Sequence, residues 1–493
     1  MGVQAVVISP PGANTAEKLY SMNEVGYITA ALRAAKVETQ IIDAQNYLNN
    51  PVNLVKLLID SKINLACIAV QWNYLFEGSW VEKFTECTEK FNKNFHITFS
   101  GRCAITYYEK ILQNFRNADS VIYGEGEITI VDLYNNLSSQ TNIEKIPGLV
   151  IKKDGKIHIT ERRLVTDNLD NLPFPARDYL EDKKNYPVVP IYTSRSCRGI
   201  CIFCEGRVYR NSVRGSAYRV RSPENVINEI KFLIETYGAN VLYFVDDDFF
   251  VNKKKGVERA KEIAEKIISE KIKIRFYIEC RVDDVEKELF VLLKKAGLRK
   301  VLIGFESGSQ SVLNRFRKQT SVHQNLKAIK ILRELSINIE PSVIMFDPMV
   351  TLKEIKETLS FIEKESLFKR KLSLSIFNQL KVVPGSDAET IYKDKIIDDQ
   401  QVRLLKKILK YYHAQLQMRF FRLSKKLSNH NEQSIINQKI IEHWNEDAQL
   451  LHLLTFRKIV DYLDNNNLNS DEFNKNSDLL VDQILDEFET KFQ

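Results

Sequence analysis

Short extended runs alternate with amphipathic runs from the third residue onward, and that alternation restricts the chain to an α/β fold. Residues 3–8 make a first strand candidate, closed by Pro10, Pro11 and Gly12. A helix is expected over about 24–36, with Ile28, Leu32 and Ala35 on one face. Residues 37–42 are extended, 54–59 helical, 65–70 extended, 81–91 helical and 96–99 extended. A fifth extended run, 120–123, leads into Gly124, Glu125, Gly126 and Glu127. Strands joined through helices pair in parallel, so an open, largely parallel sheet of about 140 residues is expected. Ligands of such sheets sit beyond the C-terminal strand ends. That rule puts the loops at 10–12, 71–74, 101–104 and 124–127 on one edge.

Residues 148–186 change character. GLVIKKDGKIHIT reads as a small hairpin turning at Asp154 and Gly155, and the prolines of DNLPFPARDYL limit helix. The alternation restarts at Val188. Strands are expected at 189–193, 241–245, 273–279, 300–305, 338–346 and 372–379, with helices between them. Ser222 followed by Pro223 is a strong helix start, and Gly238 a stop. Six β/α units suit a barrel or incomplete barrel, with its chemistry at the C-terminal strand ends. Beyond about Asp398 the pattern is helical. The expected parts are 1–145, 146–187, 188–397 and 398–493.

A chain of 493 residues supports two or three domains with substantial cores. Its first apolar run is too short for a membrane span and lacks the basic leader of a signal peptide, so a soluble cytoplasmic protein is expected. Seven cysteines at this length do not make an extracellular disulfide scaffold. Cys67, Cys87, Cys103 and Cys280 are scattered and read as small hydrophobes. The net charge of +7 says little about nucleic acid, and none is expected as a partner. Residues 401–430 hold eight Lys/Arg and no acid. They read first as an amphipathic helix pair and second as a surface for an anionic substrate or partner.

The remaining three cysteines fall within Cys197-Arg198-Gly199-Ile200-Cys201-Ile202-Phe203-Cys204, directly after a strand. Soft sulfur ligands suit an iron–sulfur cluster or zinc. Structural zinc takes four protein ligands, and Cys280, at the end of another strand, is the candidate fourth. Three cysteines on a [4Fe–4S] cluster instead leave one iron open.

The CxxxCxxC spacing after a first barrel strand resembles the radical SAM superfamily. The resemblance implies that Cys197, Cys201 and Cys204 bind the cluster, and that S-adenosylmethionine chelates the open iron and is split to a deoxyadenosyl radical. It extends to Phe203, to Asp246 and Asp247 after the second strand, to Glu279 and Arg281 at the third, and to Glu306, Ser307, Gly308 and Ser309 in GFESGS, all implied to face the cofactor. Pro384-Gly385-Ser386 resembles a later PGT segment. Tyr209, Arg210, Arg214 and Arg219 are implied to line the substrate channel, with Tyr209, Arg210 and Arg281 nearest the chemistry.

The first 145 residues resemble the Rossmann-like cobalamin-binding domain fused to one large radical SAM class. PPG after strand one, Gly101, YGEGE and LPFPARDYL carry that likeness. Pro11, Gly12, Trp72, Asn73, Gly101, Cys103, Gly124, Glu125, Gly126 and Glu127 are thereby implied to bind cobalamin. The sequence departs from the class at SGRCA, where relatives often read GGPHA, and it lacks the Asp-x-His-x-x-Gly motif that supplies histidine to cobalt. The implied whole is a cobalamin sheet, a partial (β/α)6 barrel and a helical C-terminal domain. It would methylate an unactivated carbon of a natural product, metabolite or peptide, with electrons from a flavodoxin or ferredoxin. A non-methylating cyclisation or rearrangement, and a non-catalytic binding module, are the alternatives.

Overall fold

Alternate residues of the first strand, Ala5–Ser9 (β1), enter opposite cores. Ala5 and Val7 pack with Val25, Ile28 and Leu32, whereas Val6 and Ile8 join a cluster holding Leu54, Val55 and Phe84. A strand apolar on both faces needs cover on both, which is the doubly wound arrangement. The structure is a computed structural model, described over residues 2–11, 15–70, 79–115, 117–181, 187–251, 253–367, 378–395, 397, 399–412, 453–465, 479, 481–483 and 485–486.

β1 pairs in parallel with Thr39–Asp43 (β2) and Leu65–Ala69 (β3); Ile8 stands opposite Ile42 on one side and Ile68 on the other. His96–Ser100 (β4) and Ser120–Ile122 (β5) continue in parallel. Leu149–Lys153 (β6) and Lys156–Ile159 (β7) then add antiparallel, giving the order β2-β1-β3-β4-β5-β6-β7. The order reverses between β1 and β3, so the crevice beyond those two strand ends is where such a sheet takes a ligand. Two expectations change here. The hairpin read as part of a linker is the continuation of this sheet, because β5 would otherwise leave an unpaired edge. The first helix begins at Thr15 rather than near Glu24. Within it Ser21 is a buried polar residue, donating to the Ala69 carbonyl at 3.2 Å and pairing with Ser9 at 2.9 Å.

The chain divides into two compact units, Met1–Val301 with Leu332–Asn338 and Val383–Glu389, and Leu302–Ile331 with Ile339–Val382 and Thr390–Gln493. The first unit also holds Val189–Ile191 (β8), a two-residue ladder of Ser194–Arg195 (β9) with Arg219–Val220 (β10), and the strands Val241–Phe244 (β11) and Arg275–Cys280 (β12). β11 lies between β8 and β12, parallel to both. The helix Pro223–Tyr237 takes the expected caps: the Ser222 hydroxyl accepts the Asn225 N–H at 3.1 Å, and Gly238 ends it at φ 64°. The segment Pro175–Ala176 is ordered by close approach to Gly26, whose carbonyl accepts the Ala176 N–H at 3.0 Å. Nearby, fully buried Arg177 pairs with Glu229 at 3.0 Å.

In the second unit run the later residues of Leu298–Glu306 (β13) and Asn338–Val343 (β14). The helix Leu352–Lys364 starts with a reciprocal Thr351–Glu354 capping box and packs Phe361 edge-on to Phe305, ring centres 5.8 Å apart. Most of the expected strand at 372–379 lies outside the described residues; a parallel bridge joins Phe346 to Gln379. Residues 400–412 and 453–465 are helical, and Phe456 stacks on Phe346 at 6.0 Å. Among the described residues no helix is long and apolar enough to cross a membrane.

Candidate active site

The cysteine loop is held by backbone contacts before any ligand is considered. Asp246, just past β11, accepts the N–H groups of Thr193 at 2.7 Å and Ser194 at 2.8 Å, fixing the run into the loop. Arg210 donates to the carbonyls of Cys197 at 2.7 Å and Gly199 at 2.9 Å. Arg198 enters a nest of three carboxylates, Asp248, Asp283 and Asp284, each at 2.9 Å. Asp283 also accepts from Arg281 Nε at 3.0 Å.

Gly199 donates its N–H to Cys197 Sγ at 3.3 Å. A Cβ there would lie 3.4 Å from Cys197 Sγ, 3.6 Å from Cys201 Sγ and 3.0 Å from the Arg281 guanidinium. Glycine thus lets two sulfurs and a cation share that side of the loop. Ser196, at φ 75°, has a buried hydroxyl without a hydrogen-bond partner among the described residues. Burial, reinforced by Asp248, pushes the Cys197 thiol up to about 12, and burial with Asp247 pushes Cys204 up to about 11. Three thiols on one loop, with backbone N–H donors at sulfur and Arg281 beside them, fit the donor set of an iron–sulfur cluster. Among the described residues no three His, Cys, Asp or Glu side chains are grouped as ligands of a single metal ion.

A second cluster of charge surrounds Glu125, beyond β5. Its carboxylate pairs with Arg195 at 2.9 Å and with Arg219, and it accepts the Tyr209 hydroxyl. Although burial opposes ionisation, the two guanidinium groups hold its carboxyl down at about 2. Glu127 pairs with the same Arg195. These two acids, expected to face a cofactor, are paired with arginines that bracket the cysteine loop.

The remaining expected residues are placed as follows. Pro11 is buried at the end of β1, Gly101 follows β4 at φ 95°, and Cys103 is packed in the apolar core. Gly124, at φ 119°, lies against Val213, and Gly126 against Ile28. Phe203 is half-buried between Cys201 and Cys204. Asp247 pairs with Arg102, one oxygen to each terminal nitrogen. Glu279 accepts from the Tyr243 hydroxyl at 2.5 Å. Gly12, Trp72 and Asn73 lie outside the described residues. In the second unit Glu306, at φ 60°, pairs with buried Lys318 at 2.7 Å, and the missing side chain of Gly304 leaves room for both. Ser307 bonds Thr358 at 2.7 Å, Ser309 bonds Ser311 at 2.9 Å, and Gly308 lies against Phe361. Sequence reasoning missed Arg102, Arg195, Arg198, Asp283 and Asp284. An available signal was the run Arg281-Val282-Asp283-Asp284 at the end of β12, an acidic pair just past a strand end.

Residues 191–362 match the Radical SAM superfamily. The chain is 30% identical over 277 residues to an uncharacterized methyltransferase of Pyrococcus horikoshii, covering 55% of this chain and 59% of that one. It is 28% identical over 328 residues to the hopanoid C-3 methylase of Methylococcus capsulatus, covering 64% and 59%. The match thus spans about three fifths of the length of these relatives. Among solved structures, the cobalamin-dependent S-adenosylmethionine radical enzyme OxsB, with aqua-cobalamin and S-adenosylmethionine bound, aligns with a TM-score of 0.68 at 16% identity, over 98% of this chain and 84% of that one. The radical S-adenosylmethionine methyltransferase TsrM of Kitasatospora setae, with cobalamin and a [4Fe-4S] cluster bound, aligns with a TM-score of 0.65 at 14% identity, over 80% and 79%. Residues 191–362 thus match the radical SAM model, and the chain shares the fold of the solved enzymes OxsB and TsrM.

Proposed function

We propose that this chain is a radical SAM enzyme that binds a [4Fe–4S] cluster and cobalamin and methylates an unactivated carbon of a small metabolite or peptide. The observation that carries the reading is the grouping of Cys197, Cys201 and Cys204 on one braced loop at the strand ends of a radical SAM domain. The cluster, held by these three thiolates, would supply the electron that splits S-adenosylmethionine, and cobalamin would carry the methyl group.

The protein's own part is positional. Arg210 and Asp246 fix the loop from its carbonyls and from its incoming strand, so the thiols need not be ordered when ligand arrives. Glu125 and Arg195 tie the end of β5 to β9, directly before that loop. Methylation is the reading favoured by the two relatives named above as a methyltransferase and a methylase. A flavodoxin or ferredoxin is the proposed electron donor. The expected parts 1–145, 188–397 and 398–493 are proposed as cobalamin sheet, barrel and helical cap, with 146–187 between the first two and its hairpin strands extending the first sheet.

The test is anaerobic reconstitution with iron, sulfide and cobalamin, then reduction in the presence of S-adenosylmethionine. A [4Fe–4S] electron paramagnetic resonance signal and release of 5′-deoxyadenosine are expected, and both are lost in Cys201→Ala. Products from candidate substrates should gain the mass of CH₂. Zinc at the loop, or no cluster signal from folded protein, sinks the reading. A product rearranged without gain of mass overturns the methylation alone.

A further inference from the structure

We propose that Arg102 is a positioning residue for the cluster: by neutralising Asp247 beside Cys204, it raises the cluster's reduction potential. The inference rests on the cluster reading above. Arg102 lies in SGRCA, the segment where the sequence departs from its class, and opens the short helix Arg102–Thr106 beyond β4. Its NH2 group donates to Asp247 Oδ2 at 2.7 Å, while NH1 donates to the other carboxylate oxygen. The guanidinium also stands over the Tyr209 ring, 5.5 Å from its centre. A second contact holds the same two elements together: the Thr106 hydroxyl donates to buried Glu205 at 3.0 Å, in the first turn of the helix that follows Cys204.

Asp247 is close to the thiol as well as to the arginine. A Cβ on Gly206 would lie 3.4 Å from Cys204 Sγ and 3.9 Å from Asp247 Oδ2, so sulfur and carboxylate flank one backbone position. Reduction adds one negative charge to the cluster, and an uncompensated carboxylate at this distance opposes it. The bidentate pair is mostly shielded from water, with Asp247 at 14% and Arg102 at 30% side-chain exposure, so solvent screens it only in part. The couple is a one-electron step from the oxidised to the reduced cluster; no bond forms or breaks.

Potentiometric titration of the reconstituted protein tests this, with a low-potential viologen as electron donor and the reduced cluster read by electron paramagnetic resonance. Arg102→Gln should move the midpoint to a more negative potential. The expected size is about a tenfold drop in the reduced-to-oxidised ratio at fixed potential, about 59 mV for a one-electron couple. Asp247→Asn should move it the opposite way. The double variant should fall near the wild type, and Arg102→Lys should restore most of the shift. A merely structural arginine would change iron content or thermal stability without these opposed signs. Equal midpoints across loaded variants overturn the inference alone; a wild type that forms no cluster overturns the reading beneath it. If Arg102→Gln fails to fold, Asp247→Asn and Arg102→Lys still decide: Asp247→Asn without a positive shift overturns the inference.

Discussion

The two charge nests of the first unit are mirror images. Around Glu125 one carboxylate meets two guanidinium groups and a phenol; around Arg198 one guanidinium meets three carboxylates. Two cations against one carboxylate keep that acid ionised, and Glu125 is held down at about 2, although Glu127 shares Arg195. Excess acid does the reverse: burial and the neighbouring Asp248 push Asp284 up to about 7, even with Arg198 opposing. The contrast is one of charge balance around a buried group. The Glu125 nest keeps one charge state through the whole neutral range, whereas the Arg198 nest changes within it.

Breaking the first nest should have the largest effect. Glu125→Gln leaves Arg195 and Arg219 facing each other with one counter-charge removed, and a loss of about 3 kcal/mol in unfolding free energy is expected from urea titration. Because the folded value lies below the usual carboxylate range, this stabilisation is present above about pH 4.5 and disappears as the pH falls through about 2. Wild type and variant should therefore converge in strong acid.

The second nest should behave with the opposite sign. An acid with a raised folded value binds its proton more tightly when folded, so its contribution is full below the unfolded value of 3.8 and is lost as the pH rises through about 7. Arg198→Met exposes the three carboxylates to one another, and a loss of about 2 kcal/mol is expected at pH 8, shrinking toward pH 5 as Asp284 takes up its proton. Asp284→Asn should flatten the stability profile between pH 5 and pH 8. A profile for Arg198→Met that is level across that range would erase the contrast. As a local reference outside both nests, Ser222→Ala should cost about 1 kcal/mol at any pH in this range, through loss of the helix cap.

What could be read in advance depended on how far apart the partners are in the chain. The helix from Pro223 to Tyr237 announced both its ends, because its caps are its own neighbours. The cysteine loop stood out equally, from the two short spacings between its three cysteines. The start of the first helix was not, since Ser21 and Asn23 are fully buried polar residues that interrupt an apolar stripe. The nests were less visible still. Arg102 and Asp247 are 145 positions apart, Glu125 and Arg219 are 94, and no local pattern marks either pair. Glu125 and Glu127, expected to bind cobalamin, show the same separation from the other side: their arginine partners belong to strands that follow much later.

The antiparallel hairpin that ends the first sheet has a consequence for life in a crowded solution. Its outer strand β7 presents Lys156 and His158 to solvent, and the turn brings Lys152 and Lys153 beside them. A parallel sheet stopped at β5 would offer an unsatisfied apolar rim to any extended peptide nearby. With this positively charged margin in place, the rim is paired by the chain's own backbone, and a second molecule adding a strand there would have to bury ammonium groups.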